Sequence, residues 1–282
     1  MNTCISSITT LTTDLETELA AFSNAGWRAV ELSMEKVESF LRSHTVAELA
    51  ATIANHDLKP VAAIGLARSG PGLLGSKGEA LEAVLASLEK ELTVCSALGV
   101  QTLGVGADRA ASVSDDDWAV SAVTNLTRAG DLAAKHGVRI GVEFMSLNPP
   151  IGPFVLSTLD ATLQLVKRVA DPFIGVNLDL FHHARSGGLP ADLDAVPPEM
   201  INIVHVCDVQ DLPRSDWEDG HRVLPGMGVL PLGEYACRLD QIGFRGYCSL
   251  ELLNEDLWAA SPYDVARTGR SAMDQAFTSK SH

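Results

Sequence analysis

The chain has little of what directs a protein to a membrane, to a secretory route or to nucleic acid. No apolar run among its 282 residues approaches the ~20 residues that a helix needs to cross a bilayer. The first residues lack the basic and apolar regions of a secretory signal, so we expect a cytoplasmic protein. Lysine and arginine total 21 against 36 aspartates and glutamates, and the net charge of −15 opposes binding to a phosphate backbone. We therefore expect neither a membrane nor a nucleic-acid partner.

Cysteine is also scarce, and its spacing excludes the usual cysteine-based sites. The chain has five cysteines, an odd number, and no CxxC pair. Most of them lie in or beside apolar segments, where a free cysteine behaves as a small hydrophobic residue; they are Cys4, Cys95, Cys207, Cys237 and Cys248. Because 46% of the residues are hydrophobic and no linker-like stretch divides the chain, residues 1–282 are predicted to form one domain.

Short apolar runs alternate with longer amphipathic segments along the chain. The predicted strands are 4–8, 29–32, 61–64, 102–105, 139–143, 174–179, 201–206 and 247–251. The predicted helices are 14–24, 45–55, 78–98, 115–136, 158–169, 233–242 and 262–277, with a weaker segment after the sixth strand. Strands that alternate with helices pair in parallel, and eight such units fit a closed (β/α)₈ TIM barrel. A doubly wound open sheet is the alternative, but no glycine-rich fingerprint follows the first strand.

A charged or imidazole side chain closes each of the last four predicted strands. These residues are Glu143, Asp179, His205 and Glu251. Such a side chain at the end of a buried run is costly unless something compensates for it. The carboxyl ends of parallel barrel strands converge on one mouth, where active sites of this fold lie. Three carboxylates and one imidazole suit a divalent cation, so we predict that these residues bind one Mn²⁺, Co²⁺, Zn²⁺ or Mg²⁺ ion at the C-terminal face.

Two further side chains follow the ends of these strands closely. His182 comes three residues after Asp179, and Asp208 comes three residues after His205. Both positions lie within reach of a ligand bound at the barrel mouth, so we predict that they contact substrate. For Asp208 a structural role is an equally good interpretation. His183 is adjacent to His182, and one of the two histidines must point away.

Two connections are longer than a barrel requires, and we expect them to cover a substrate. They span residues 66–76 and 208–231, and a solvated Ω-loop is the alternative interpretation. The second connection contains Trp217 and Arg222, which we predict to contact substrate. A guanidinium offers forked hydrogen bonds to a substrate oxygen or to a metal-binding carboxylate. Glu31 closes the second strand and either lines the mouth or forms a structural salt bridge.

Five segments, in this order and spacing, resemble a known family. They are Val-Glu-Phe-Met from residue 142, Asp-Leu-Phe-His-His from 179, Val-His-Val-Cys-Asp from 204, Arg-Val-Leu-Pro-Gly-Met-Gly from 222 and Ser-Leu-Glu-Leu from 249. From about residue 4 to residue 277 the chain is similar to the xylose-isomerase-like sugar isomerase/epimerase superfamily. Within that superfamily it looks most like the inosose (2-keto-myo-inositol) isomerases.

The resemblance implies roles for residues of this chain. It implies metal ligands at all four strand-end positions, and an acid/base pair in Glu143 and Glu251 that flanks the substrate. His182 and Arg222 match positions that contact substrate oxygens. The stretch at residues 145–153 and the connection at 66–76 vary among members and shape the pocket, so the resemblance does not specify the substrate.

The expected chemistry is isomerisation or epimerisation of a keto-polyol or sugar. A carboxylate removes the proton alpha to a carbonyl, and the divalent ion stabilises the resulting enediolate. A lyase on the same scaffold is the main alternative, dehydrating an inosose or 3-dehydroshikimate or eliminating from a 3-keto-glycoside. An endonuclease-IV-like phosphodiesterase would need a multi-metal cluster with many more histidines and a basic surface, whereas this chain has eight histidines and a charge of −15. A non-catalytic binding barrel is disfavoured because the set of four candidate metal ligands is intact. The expected partner is a small sugar or cyclitol, and homo-oligomerisation stays open.

Overall fold

A closed barrel of parallel strands is the frame of the molecule, as the sequence predicts. The structure, a computed structural model, describes residues 1–65, 72–110, 118–148 and 151–278. Its strands, in chain order, are β1 (Asn2–Ser6), β2 (Ala29–Ser33), β3 (Lys59–Ile64), β4 (Thr102–Gly106), β5 (Arg139–Glu143), β6 (Ile174–Asp179), β7 (Ile201–Val206), β8 (Asp208–Val209), β9 (Arg222–Val223) and β10 (Tyr247–Leu250). The barrel closes in the order β1-β10-β7-β6-β5-β4-β3-β2. The TIM-barrel prediction is therefore confirmed.

Helices lie between the barrel strands and after the last one. In chain order they are α1 (Leu15–Asn24), α2 (Met34–Leu41), α3 (Val46–Asn55), α4 (Gly78–Leu98), α5 (Trp118–His136), α6 (Leu159–Val169), α7 (Leu180–Arg185), α8 (Leu232–Gln241), α9 (Glu255–Ala259) and α10 (Pro262–Thr278). Local sequence sets several of their ends. Thr45 and Glu48 form a capping box at the start of α3. α4 ends at Gly99, whose φ of 75° lies in the left-handed region that glycine adopts without strain.

Two local features differ from the sequence-based prediction. The first strand ends at Ser6 rather than at residue 8, because the Ser6 hydroxyl accepts a hydrogen bond from the Ile8 N–H and starts a 3₁₀ turn. Helix α2 was not predicted, since it begins directly after β2 without a turn to mark its start. The predicted beginning of the fifth helix, residues 115–117, lies outside the described residues.

The connections after β6 and β7 carry side chains to the barrel mouth. Asp179 ends β6 and caps α7 by accepting a hydrogen bond from the His182 N–H at 3.0 Å. The connection at 208–231 is not an open loop, because β8 and β9 pair as an antiparallel ribbon. In this ribbon Val209 pairs with Arg222, and the chain thereby returns Arg222 to the mouth.

The apolar runs that predicted the strands are buried, and β6 is buried at all of its positions. Four cysteines are buried and free, and Cys237 is exposed and free, so cysteine acts as a small hydrophobic residue as expected. Across the described parts of the chain, no helix combines the length and the apolar character that a membrane span requires.

Candidate active site

The strand ends bring Glu143, Asp179, His205 and Glu251 together at the C-terminal face of the barrel. One ligand atom from each residue lies within 4.8 Å of all the others. Asp179 and His205 are fully buried and level with each other in the β6–β7 pair, while Glu251 is 5% exposed and directly follows β10. Ligand distances of about 2.0–2.2 Å place opposite ligands up to roughly 4.4 Å apart. The four groups therefore need only a small contraction to hold one ion.

Carboxylates contact both ring nitrogens of His205. Its Nδ1 lies 3.1 Å from Glu143 Oε1 and 3.4 Å from Glu251 Oε2. Its Nε2 lies 3.0 Å from Oε1 of the completely buried Glu31. The other oxygen of Glu31 accepts a hydrogen bond from Ser249 Oγ at 2.7 Å. A carboxylate at Nε2 fixes the orientation and tautomer of the imidazole and leaves Nδ1 for a metal ion.

Arg222 brings a positive charge to the cluster. Its Nη1 donates to Asp179 Oδ2 at 2.7 Å and lies 3.5 Å from Glu251 Oε2, and its Nη2 lies 2.9 Å from Asp219 Oδ1. The guanidinium lies 4.4 Å from the ring centroid of Phe181, within cation–π distance. Arg222 is almost completely buried, so these contacts compensate its charge in a dry environment.

These contacts set the charge states of the cluster. Burial alone would raise the pKa of Asp179, but the positive charges of Arg222 and two histidines hold that pKa well below its usual range. Burial would lower the pKa of His205, but the surrounding glutamates raise it well above its usual value. Burial raises the pKa of Glu251 to about 8, although His205 opposes the shift. The carboxylates thus hold a positive charge at their centre, where a divalent ion would take its place.

His182 lies beside the cluster, whereas His183 points elsewhere. The Nε2 atom of His182 lies 3.3 Å from Arg222 Nη2, and its Nδ1 accepts a hydrogen bond from the Ser146 N–H at 3.3 Å. His183 Nδ1 instead lies 2.9 Å from the Tyr235 hydroxyl, and burial lowers the pKa of His183. His182 is therefore the histidine within reach of a ligand in the cluster, and its contact with substrate stays a prediction.

Trp217 packs behind Arg222. Its indole ring stacks on Phe181 with a centroid distance of 6.2 Å, and Phe181 in turn faces the guanidinium. The indole N–H donates to the Leu212 carbonyl at 2.9 Å, so this polar group is already satisfied. Trp217 supports the stack that holds Arg222, and its direct contact with substrate stays a prediction.

Asp208 holds the ribbon connection together. Its carboxylate accepts hydrogen bonds from the N–H groups of Val209, Gly226 and Leu230 at 2.9, 3.0 and 2.8 Å. The contacts described for this side chain do not join it to the metal cluster. They fit the structural role that the sequence left open, and a contact between Asp208 and substrate stays a prediction.

The two variable stretches beside the mouth lie partly outside the described residues, which omit 66–71 and 149–150. Two side chains hold the described end of the connection at 66–76. Asp108 accepts hydrogen bonds from the Leu74 and Gly75 N–H groups at 3.1 and 2.7 Å. Asn125 Nδ2 donates to the Leu73 carbonyl at 2.9 Å. Coverage of a substrate by this connection stays a prediction.

Glu31, Phe181 and Asp219 are neighbours of the site whose contacts were not predicted. Glu31 carried a signal as a charged residue near the end of the second predicted strand, although in the structure it lies in the middle of β2. Its partner His205 is 174 positions away, however, and only barrel closure reveals the pairing. Phe181 lies beside Leu180 at the start of the short helix α7, and Asp219 lies in a polar connection, where neither residue type is distinctive.

A model of the family described as the xylose isomerase-like TIM barrel matches residues 19–276. The chain belongs to this family. The matched range extends from α1 into α10 and includes all four cluster residues. The family resemblance predicted from the five segments is therefore confirmed.

Similarity to characterised members extends over most of the chain. The inosose isomerase of Bacillus licheniformis is 28% identical over 274 residues, which are 96% of this chain and 95% of that protein. The 3-dehydroshikimate dehydratase of Pseudomonas putida is 26% identical over 197 residues, which are 69% of this chain and 30% of that protein. A crystal structure of the IolI protein with a binding zinc atom has a TM-score of 0.87 at 24% identity, over 99% of this chain and 98% of that one. The two sequence relatives are enzymes, and the solved structure establishes the shared fold.

Proposed function

We propose that the protein is a divalent-metal-dependent isomerase or epimerase of an inosose-like keto-polyol. The observation that carries the proposal is the convergence of three carboxylates and one imidazole within 4.8 Å at the barrel mouth. Its substrate class is supported by 28% identity to an inosose isomerase over nearly the whole of both chains. An α-hydroxy ketone presents two adjacent oxygens, which one divalent ion can hold.

The donor set fits a single divalent ion. Glu143, Asp179, His205 and Glu251 would hold it, and Glu31 would keep the imidazole of His205 in a fixed orientation. When bound, the ion supplies Lewis-acid polarisation of the ketone oxygen. Three oxygen donors and one nitrogen donor suit Mn²⁺, Co²⁺, Zn²⁺ and Mg²⁺, so the proposal leaves the metal open.

Glu143 and Glu251 are the proposed acid/base pair. Burial raises the pKa of Glu251, and a bound divalent ion would favour its carboxylate form, which is the form that removes a proton. One glutamate removes the proton from the hydroxyl-bearing carbon beside the ketone and returns it to the former carbonyl carbon, while the hydroxyl proton moves to the former ketone oxygen, and the carbonyl thereby moves by one carbon. Proton return by the other glutamate to the opposite face would invert the carbon, which is epimerisation.

Arg222 and His182 are the proposed contacts for the remaining substrate oxygens. Arg222 fixes Asp179 through the 2.7 Å hydrogen bond, and His182 lies 3.3 Å from the same guanidinium. Together they form a short polar edge beside the ligand cluster. Hydroxyl groups of a cyclitol would find both donors and acceptors there.

Turnover of 2-keto-myo-inositol in D₂O, followed by NMR, tests the proposal directly. The metal-loaded enzyme is expected to form an isomer without loss of water, with solvent deuterium at the former carbonyl carbon if the carbonyl moves and at the inverted carbon if the enzyme epimerises. The Glu143→Gln variant serves as the matched control, because it keeps the size of the side chain and removes the base. Neither isomer nor deuterium exchange with any inosose, in a folded and metal-loaded enzyme, would overturn the proposal.

A metal-dependent dehydratase is the second candidate. The match to a 3-dehydroshikimate dehydratase over 69% of this chain favours it. Both reactions begin with removal of a proton alpha to a carbonyl, and they differ in whether a β-hydroxyl then leaves. In the same NMR assay, loss of water with a conjugated enone and no isomer would replace the first candidate with the second.

A further inference from the structure

A second cavity lies at the end of the barrel opposite the carboxylate cluster. Its volume is about 690 Å³. Lys59, Thr102, Arg139 and Tyr247, which line it, are the first residues of β3, β4, β5 and β10. The cluster residues lie at the opposite, C-terminal strand ends, so the proposed reaction does not use this cavity.

The lining of this cavity is basic, although the chain as a whole carries a charge of −15. Lys59, Arg139 and Arg245 line it, and its described lining includes no aspartate or glutamate, although Arg245 Nη1 pairs with Asp240 Oδ1 at 2.9 Å outside the lining. The hydrogen bonds described for Arg139 go to backbone carbonyls, those of Pro172 and Glu199 at 3.2 and 2.8 Å. Burial also lowers the pKa of Arg139. These neutral carbonyls do not cancel the positive charge of the partly buried guanidinium, so the charge of Arg139 remains available to an anion.

Buried polar atoms without a hydrogen-bond partner cluster at this end of the barrel. Within the described parts of the chain they include Oδ1 of Asn202, which lines the cavity; Nε2 of His136 also lacks a hydrogen bond but lies 3.7 Å from Glu89 Oε1. Both amide atoms of the completely buried Asn177 are also unpartnered. Buried polar groups nearly always have a partner in the protein, a bound water or a ligand. Asn202 Oδ1 is an acceptor, so it can take a hydrogen bond from a hydroxyl group of a ligand in the cavity.

Two glycines let these polar groups lie together inside the barrel. A Cβ atom on Gly175 would overlap Asn202 Oδ1 and lie 3.0 Å from Arg139 Nη2. A Cβ atom on Gly141 would overlap Asn177 Oδ1 and lie 3.2 Å from Asn202 Nδ2. The three polar side chains are therefore contiguous, at a level that barrels of this fold usually fill with branched apolar residues.

We propose that this cavity binds a small hydroxylated anion, either a phosphate ester or a hydroxy acid. Lys59 and Arg139 would face its negative charge, and Asn202 Oδ1 would accept a hydrogen bond from one of its hydroxyl groups. The competing explanation is that the basic residues only offset the partial negative charge at the carboxyl ends of α4 and α5, which reach this face. That explanation predicts a basic lining without a ligand.

Isothermal titration of the metal-loaded enzyme with glycerol 3-phosphate and with gluconate tests the proposal, with glycerol as the neutral control. Wild type and Lys90→Gln, an exposed change on α4 away from the cavity, are expected to bind at least one of the two anions equally well. Lys59→Gln is expected to weaken binding by about two- to fivefold, as for an exposed charge. Asn202→Asp keeps the side-chain size and adds a negative charge, so it should weaken binding by at least about tenfold.

The two anions distinguish a phosphate ligand from a carboxylate ligand, and binding of either supports the site. Circular dichroism establishes that each variant is folded, and the exposed Lys59 keeps the test intact if Asn202→Asp does not fold. Absence of binding by both anions would overturn the proposal. Equal affinity in wild type and both cavity variants would also overturn it, because the anion would then bind elsewhere. Equally tight binding of glycerol would also overturn the proposal, because the cavity would then not recognise a negative charge.

Discussion

Replacing Glu31 with glutamine tests whether this buried carboxylate positions His205 for metal binding. Glu31 Oε1 lies 3.0 Å from His205 Nε2, and both side chains are fully shielded from solvent. Glutamine keeps the volume and can keep one hydrogen bond, but it loses the negative charge. We therefore expect the barrel to fold and the metal affinity to fall.

The size of the effect follows from the geometry. Carboxylates that orient a metal-binding histidine typically contribute about 10- to 100-fold to metal affinity. That range corresponds to about 1.4–2.8 kcal/mol, which agrees with about 1.5–3 kcal/mol for a hydrogen bond to a charged group. The shorter 2.7 Å contact from Ser249 Oγ holds only the second oxygen of Glu31, so Ser249→Ala should reduce affinity by less than about tenfold.

The assay is competition for Zn²⁺ or Mn²⁺ between the stripped protein and a chromophoric chelator, without substrate. Glu234→Gln, an exposed change of the same kind on α8, controls for the loss of one negative charge. Circular dichroism and urea unfolding show whether any loss of affinity comes from unfolding. Because the readout is metal affinity, the experiment does not depend on knowing the substrate.

Two results would refute the positioning role of Glu31. If Glu31→Gln binds metal as tightly as wild type while His205→Ala loses binding, His205 is a ligand that needs no positioning by Glu31. If Glu31→Gln loses affinity only together with folding stability, the carboxylate is a structural partner of His205 rather than a positioning residue.

The remaining predictions concern the cluster and one buried ion pair. Elemental analysis should find one divalent ion per chain, and His205→Ala should lose it; a stripped enzyme with full activity would contradict the assignment. Glu143→Gln and Glu251→Gln should each lower kcat by about 10²-fold or more while folding survives, measured by turnover beside circular dichroism. Burial raises the pKa of Glu18 to about 7 despite its contact with Lys36, so the folded state holds a proton that the unfolded state releases. Stability should therefore fall as pH rises from about 4.5 to 7, and urea unfolding of Glu18→Gln should show a smaller fall than wild type, because the raised pKa of Glu251 also contributes to it.

Local patterns in the sequence were sufficient to predict the barrel. Each strand is a short apolar run, and strands β5, β6 and β7 have the predicted bounds because charged residues or turns flank these runs. The four cluster residues could also be predicted, since a costly side chain closes each run and parallel strands end at one face. Helix α2 could not be predicted, because it follows β2 without a break in the pattern.

The tertiary structure decided which side chains meet at the site. Sequence alone did not distinguish His182 from His183, and α7 directs His182 toward Arg222 and His183 toward Tyr235. For Asp208 the sequence left a substrate contact and a structural role open; its carboxylate accepts hydrogen bonds from three backbone N–H groups of its own connection, and a contact with substrate stays a prediction.

Barrel closure also decided the partners that are distant in sequence. It joins Glu31 on β2 to His205 on β7, and the β8–β9 ribbon returns Arg222 to Asp179. Periodicity and capping act over a few residues, so the sequence by itself determined the barrel strands, the long helices and the four charged or imidazole residues at the strand ends. Contacts between residues far apart in the chain depend on the order and register of the strands, which only the folded barrel establishes.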